Sequence, residues 1–105
     1  MASDKAYLAF ILDQLSGVDG ISYKAMMGEY ILYVQGKIFG GIYDDRFLVK
    51  QVPAAVARML EAPREEPYPG AKPMLLVENV DDRMFLTELV QAMADELPEP
   101  KKKRR

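Results

Sequence analysis

The sequence predicts an α+β domain of two layers, in which helices cover one face of a mostly antiparallel sheet. Two observations carry this prediction. Helical patterns of apolar residues stand at both ends of the chain, and a central block of short apolar segments is joined by two-residue turns. The length of 105 residues suits one domain with one core. We assign residues 1–98 to this domain and residues 99–105 to a disordered basic tail.

The first helix is predicted over residues 4–16, with Ser3 placed to cap its start and Gly17 to end it. Its apolar residues recur at the spacing of one helical face: Leu8, Ile11, Leu12 and Leu15. In residues 21–25 apolar and polar side chains then alternate. This period of two predicts a half-buried strand.

Three further strands form the centre of the prediction. Residues 29–35, 37–43 and 46–50 are rich in β-branched and aromatic side chains. Only Gln35-Gly36 and Asp44-Asp45 separate them. Because Gly and Asp tolerate the positive φ that tight hairpin turns require, consecutive segments should pair. We therefore expect an antiparallel meander.

A short second helix is predicted from Pro53 to Ala62, since proline fits the first turn of a helix. Its apolar face comprises Val52, Val56, Met59 and Leu60. Residues 63–73 include four prolines, which excludes regular structure and predicts an ordered surface loop. The brief apolar run 74–78 is predicted to be a strand that joins the sheet of the meander.

The last helix has the clearest pattern. Asp81 or Asp82 can cap its start, and Pro98 ends it. One continuous apolar stripe runs along it: Phe85, Leu86, Leu89, Val90, Met93 and Leu97. We expect this stripe to pack against the sheet.

Composition excludes several kinds of site. The sequence has no Cys and no His, so it offers no disulfide framework, no thiolate and none of the usual soft ligands for zinc, copper or iron. We expect no cofactor. It shows no signal peptide, and no run approaches the about 20 apolar residues of a membrane helix. We expect a cytoplasmic protein without a membrane partner.

The net charge of −2 is unevenly distributed. Five of the 14 basic residues end the chain, namely Lys101, Lys102, Lys103, Arg104 and Arg105. The rest of the chain holds nine basic residues and all 16 acidic ones. The tail could neutralise a few phosphates and bind nucleic acid weakly and without sequence preference, although such runs are usually just solvated.

From Met26 to Lys50 the chain reads as a Met and a Gly, a Leu-Tyr strand, a Gly turn, a Lys-apolar-Phe strand, an acidic turn and an aliphatic strand ending in Lys. The residues of this pattern are Met26, Gly28, Leu32, Tyr33, Gly36, Lys37, Phe39, Asp44, Asp45 and Lys50. The pattern resembles the N-terminal domain of the TfoX/Sxy family, the bacterial competence regulators. Met27 departs from it by replacing an aromatic residue, and Ile31 by replacing a glycine.

The resemblance implies an α+β fold similar to the secretion-chaperone-like folds, no known catalysis, and a role in regulation or protein contact. Full-length regulators of this family carry a second, C-terminal domain with no counterpart in this sequence. We therefore expect a stand-alone N-terminal domain.

Two groups of residues in the meander are candidates for a protein interface. Gly40-Gly41 indicates a bulge or a close approach of another backbone, for which we favour a packed helix over a ligand. Tyr30, Tyr33 and Tyr43 could stack nucleic-acid bases, but Tyr30 and Tyr33 differ in parity and the block is not basic. Cross-strand packing explains the tyrosines better. We expect these five residues to lie at a protein interface.

Four charged residues of the block have simpler interpretations. Asp44 and Asp45 could bind a divalent cation, but adjacent extended side chains point to opposite faces, so we interpret them as a hairpin turn. Glu29 and Lys50 could line a small pocket, yet single charges at strand ends are ordinarily solvated.

The leading functional hypothesis is a non-enzymatic protein-binding domain. It would form a homodimer through an exposed part of the sheet or the Gly40-Gly41 strand. One alternative is a nucleic-acid-associated regulator that uses the basic tail. Another is a small-ligand binder or an enzyme, which would need a group with a strongly shifted pKa in a deep pocket.

Overall fold

The computed structural model describes residues 4–97. Its helices and strands follow in the order α1 (Lys5–Gln14), β1 (Ile21–Met26), β2 (Glu29–Val34), β3 (Lys37–Tyr43), β4 (Arg46–Val49), α2 (Pro53–Arg58), β5 (Arg64–Glu65), β6 (Met74–Leu76) and α3 (Arg83–Ala94). The strands form one antiparallel sheet in the order β1-β2-β3-β4-β6-β5. The predicted α+β fold and its meander are confirmed, and β6 joins the sheet as expected.

Two-residue turns connect the first four strands: Met27-Gly28, Gln35-Gly36 and Asp44-Asp45. All six residues have φ between 53° and 85°. Positive φ at both positions is the conformation of primed hairpin turns, whose twist matches that of the flanking strands. The two predicted turns are confirmed. The additional one holds Met27 at a φ of 53°, which is uncommon for a residue other than glycine.

One hydrophobic core lies between the sheet and the three helices. The sheet contributes Tyr30, Leu32, Val34, Phe39, Ile42, Phe47, Val49 and Leu75. The helices contribute Leu8 and Ile11 from α1, Ala55 from α2 and Leu86, Leu89, Val90 and Met93 from α3. The helices therefore cover one face of the sheet, the inner face, as predicted. The opposite face is called the outer face below.

The cap of α1 differs from the prediction. The Oδ1 atom of Asp4 accepts a hydrogen bond from the amide of Ala6 at 2.9 Å, so Asp4, not Ser3, caps the helix. Ser and Asp cap helices about equally well, and the local sequence therefore does not choose between neighbours. The helix ends at Gln14, two residues earlier than the predicted end at Ser16.

At α3 the structure selects between the two predicted caps. The Oδ1 atom of Asp82 accepts a hydrogen bond from the amide of Phe85 at 3.1 Å. The predicted stripe is buried except for Phe85, which is only partly buried against the core. The helix ends at Ala94, before the predicted boundary at Pro98.

Two predictions for the segment after β4 are wrong. The second helix ends at Arg58 rather than Ala62, because Met59 leaves the helical conformation, and Leu60 is exposed instead of facing the core. The proline-rich connection contains β5, in which Arg64 pairs with Leu75 of β6. A two-residue strand fits here because neither of its residues is a proline, although Pro63 and Pro67 stand on either side of it.

Strand β1 is less buried than predicted. Of its six residues only Ile21 is partly buried, and the other five are exposed. It pairs with β2 on one side and is the last strand of the sheet on the other. Alternating hydrophobicity did not predict its burial, because an edge strand has fewer neighbours than a central one.

Gly40 and Gly41 lie at an irregularity in β3. Leu32 pairs with Gly40 and Tyr33 with Ile38, so Phe39 is an additional residue on β3 and forms a bulge. The bulge, one of the two alternatives predicted for this pair, is confirmed. The predicted close helix is wrong, because the nearest atoms to the missing β-carbon of Gly40 belong to the backbone of Leu48 and Val49 in β4.

Candidate protein interface

The outer face of the sheet is covered only in part. Gly41 pairs with Ile31 on one side and with Leu48 on the other, so these three residues share the outer face. Leu48 is fully buried although it is not part of the core cluster. The connection of residues 66–73 lies over the β3 and β4 part of this face, whereas five of the six residues of β1 are exposed.

Two side chains fix that connection in place. The guanidinium of Arg46 donates hydrogen bonds to the carbonyls of Tyr43, Glu66 and Pro67 and to the Glu65 carboxylate, the last at 2.7 Å. At the other end, the amide nitrogen of Gln51 donates to the carbonyl of Pro73 at 3.0 Å. The connection is thereby anchored at both of its ends.

Tyr43 and Tyr68 meet where the connection reaches β3. Their ring centroids are 6.3 Å apart, with a tilt of 57° between the rings. Burial raises the pKa of the Tyr43 phenol, and the neighbouring Tyr68, Glu29 and Tyr33 raise it further. Tyr68 itself is 60% exposed. A tyrosine with a pKa of 10 or above is protonated at neutral pH, so the Tyr43 phenol is a hydrogen-bonding group there rather than a base.

The two tyrosine rings separate two concavities on the outer face. One has a volume of about 430 Å³ and includes Met26, Met27, Glu29 and Ile31. The other, of about 690 Å³, extends along β3 past Gly40 to Lys50 and the far end of the connection. Glu29 and Lys50, which the sequence suggested as lining of one pocket, therefore lie in different ones.

The free edge of β1 is the second notable surface. The exposed apolar side chains on it and on its turn are Tyr23 at 49%, Met26 at 46% and Met27 at 96%. No other strand pairs with the outer edge of β1 among residues 4–97. Exposed apolar side chains thus lie directly beside unpaired backbone groups.

The structure separates the five residues predicted at an interface. Tyr30 is only 7% exposed and packs in the core, whereas Tyr33 and Tyr43 are half-buried on the outer face. Tyr30 and Tyr33 therefore point to opposite faces of the sheet, as their difference in parity predicted. Gly40 and Gly41 are buried in β3, which pairs with β2 and β4 on its two sides. β3 therefore has no free edge with which to bind another chain.

The acidic turn has the structure that its sequence predicted. The amide of Asp44 donates to Oε1 of Glu29 at 3.1 Å, and Oδ1 of Asp45 accepts from the amide of Asp4 at 2.7 Å. Among the described residues no group of three or more potential metal-ligating side chains occurs. The basic tail, Lys101 to Arg105, lies outside the described residues. Within residues 4–97, no helix is long and apolar enough to span a membrane.

Comparison with known proteins identifies the family. The family model described as the TfoX N-terminal domain matches residues 13–94. The chain belongs to the TfoX N-terminal domain family. The match spans the sheet and α3, so the resemblance of the Met26 to Lys50 block extends over most of this TfoX N-terminal domain.

A curated relative has a similar length. The protein named "Uncharacterized 12.7 kDa protein in trpE 5'region" from Spirochaeta aurantia is 36% identical over 103 residues, which is 96% of this chain and 89% of the relative. No solved structure matches the chain significantly. The name of this relative gives no ligand or partner.

Sequence reasoning missed several surface residues that this geometry brings forward: Tyr23, Met27 and Tyr68, and also Lys72, which lines the larger concavity. Of these residues, Met27 could have been singled out from the sequence, because a Met precedes Gly in a hairpin turn, where Asn or Asp is usual. Tyr68 and Lys72 stand in the proline-rich connection, whose position over the sheet no local pattern encodes.

Proposed function

We propose that this TfoX N-terminal domain is a non-enzymatic, cytoplasmic protein-binding domain with a regulatory role, and that it pairs with a second copy of itself through the free edge of β1. The observation that carries the proposal is an edge strand with five exposed residues. Unpaired strand edges are templates for another strand, and an identical edge in a two-fold arrangement is a common partner.

The register of β1 and β2 shows which backbone groups are available. Met26 and Glu29 flank the two-residue turn, so they form a hydrogen-bonded pair. Hydrogen-bonded and non-hydrogen-bonded pairs alternate along an antiparallel ladder. The amides and carbonyls of Ile21, Tyr23 and Ala25 therefore point away from β2, toward the free edge.

The same geometry favours one register for the dimer. A two-fold axis perpendicular to the sheet keeps both inner faces on one side, and it pairs residues of equal parity. An axis at Lys24 would place the two copies of this lysine directly opposite each other, and like charges in that position are unfavourable. An axis at Tyr23 instead places two aromatic side chains opposite each other and aligns their outward-pointing backbone groups. We therefore centre the dimer on Tyr23.

The test is the molar mass in solution, measured by sedimentation over a concentration series. The wild-type chain should change from monomer to dimer as its concentration rises. Ala25→Pro removes an amide that points to the free edge and leaves the bonds to β2 intact, so this variant should stay folded and monomeric. Tyr23→Lys should also weaken the dimer, because it places two cations directly opposite each other across the two-fold axis.

Leu60→Ser is the matched control, since Leu60 is an exposed apolar residue far from β1 in the sequence and outside the sheet. It should dimerise like the wild type. A wild-type chain that remains monomeric at the highest concentration contradicts the proposal. Equal dimerisation of Ala25→Pro and the wild type would exclude the β1 edge.

A second candidate function is favoured by the five consecutive cations at residues 101–105. These cations would bind nucleic acid through its phosphates, with an affinity that falls steeply as salt is added. Deletion of residues 101–105 should abolish binding to a DNA duplex at low salt without changing the mass of the protein in solution beyond the lost residues. Unchanged DNA binding would exclude this role for the tail.

A further inference from the structure

The larger concavity of the outer face differs in charge from the rest of the molecule. It lies between β3 and the anchored connection, and we call it the lysine groove because Lys50 and Lys72 line it. No lining residue is acidic, although the chain outside the tail has 16 acidic and nine basic side chains. The charge of the groove is therefore opposite to that of the domain around it.

Both lysines have their charges available. Lys50 is half-buried at the end of β4, and Lys72 is exposed on the connection. Neither ammonium group has a hydrogen bond or an ion pair with another residue of the described range. An ammonium group is a compact point charge that can bind carboxylate, sulfonate or phosphate without a fixed geometry.

Apart from the two lysines and Gln51, the lining is mostly apolar. Ile38, Tyr43 and Tyr68 supply aliphatic and aromatic surface, and Met74 adds a flexible thioether. The volume of about 690 Å³ lies within the range of small-molecule sites. The lining would thus bury an apolar body while the lysines hold an acidic group at its end.

We propose that the lysine groove binds a small organic anion, with an aromatic or aliphatic body over Tyr43 and Tyr68 and an acidic group at Lys50 and Lys72. The groove is formed before any ligand binds, because Arg46 and Gln51 anchor the connection that makes its wall. A preformed site avoids the cost of ordering a loop on binding.

This site is separate from the proposed dimer contact. β1 is at one edge of the sheet, whereas the groove follows β3 and the connection over β4. The inference therefore does not depend on self-association. Measurements on Ala25→Pro, which lacks the proposed dimer contact, keep the two proposals distinguishable.

The experiment is a fluorescence titration of the full chain with anilinonaphthalene sulfonate, an aromatic anion. Octanoate should displace this probe, whereas octanol, which has the same apolar body without the charge, should displace it much less. Lys50→Gln and Lys72→Gln should each weaken probe binding about fivefold, as expected for an exposed charge contact. The matched control is Lys24→Gln, on the open part of the outer face, which should bind like the wild type.

Circular dichroism should show that all three variants are folded, and amide resonances of Gly40 and Ala71 should shift when octanoate is added. Octanol competing as well as octanoate would overturn the proposal, since the lysines would then contribute nothing. So would equal weakening by Lys24→Gln, or octanoate-induced shifts confined to residues outside the groove.

Discussion

The ring of Tyr43 lies over Gly41, two residues earlier on the same strand. A β-carbon at Gly41 would stand 2.6 Å from Cε2 of this ring and 2.6 Å from the carbonyl oxygen of Tyr30. The ring thus occupies the space that a side chain would fill. Because Tyr43 also contacts Tyr68, a glycine in β3 helps to position the aromatic pair that divides the outer face.

Gly41→Ala should therefore destabilise the fold. Its methyl group would force both the Tyr43 ring and the adjacent β2 backbone to move, at a cost of about 3 kcal/mol in the free energy of unfolding. Chemical denaturation measures this change. Gly17→Ala is the control, because the closest atom to its added carbon is Oγ1 of Thr87 at 3.7 Å, an ordinary contact. Equal stability of the two variants would contradict the role of Gly41.

Met27→Asn should stabilise the chain by about 1 kcal/mol, because Asn adopts positive φ more readily than Met. The residue is almost fully exposed, so the change removes little packing. Gln35→Asn, at the same φ of 53° in the next hairpin, should give a similar gain in thermal denaturation. A loss of stability at position 27 alone would indicate that the Met27 side chain makes contacts that its exposure does not suggest.

The tyrosines predict a fall in stability at alkaline pH. Burial raises the pKa of Tyr43 and Tyr7 above the ordinary value of 10.0, so between that value and the raised one the folded state binds more protons than the unfolded state. The free energy of unfolding should be independent of these groups below about pH 10 and decrease as pH rises above it. Tyr43→Phe should reduce this decrease, as followed by urea denaturation at a series of pH values. An unchanged profile would be inconsistent with the burial of Tyr43.

Arg46→Lys should loosen the connection over the outer face. A lysine cannot reproduce the several hydrogen bonds that the planar guanidinium donates, and the expected cost is about 1 to 2 kcal/mol. Limited proteolysis should then cut within residues 66–73 faster than in the wild type. Arg58→Lys is the matched control, because Arg58 donates only to the carbonyl of Ala54 in its own helix among the bonds described. Equal protection of the two variants would show that Arg46 does not anchor the connection.

Local patterns predicted the elements whose signals are themselves local. The turns at Gln35-Gly36 and Asp44-Asp45, the apolar stripe of α3 and the meander were all predictable, because turn chemistry and side-chain periodicity act over a few residues. The boundaries of the helices were not, since a capping residue such as Asp4 competes with an equivalent neighbour. A bulge beside Gly40 was one of two predictions for Gly40-Gly41, but the close neighbour of Gly40 is the backbone of β4 and not the packed helix that we expected.

The candidate surfaces were less predictable than the fold. The sequence identified tyrosines of the meander but could not distinguish Tyr30, which is buried, from the edge residue Tyr23, which is exposed. Burial depends on the position of a strand within the sheet, and that position follows from pairing across the whole chain. The connection between β5 and β6 lacks any periodic pattern, so its place over the outer face could not be inferred.

By itself, the sequence determined the alternation that pairs β1 to β4, the helical stripes that cover the inner face and the family to which the chain belongs. Only the tertiary structure decided that β1 is a free edge, that β3 is enclosed on both sides, and that Lys50 and Lys72 both line one groove. The physical reason is range. Turn and periodicity preferences act between neighbouring residues. Exposure and the lining of a groove depend instead on contacts between parts of the chain that are far apart, as Lys50 and Lys72 are, with more than 20 residues between their positions in the sequence.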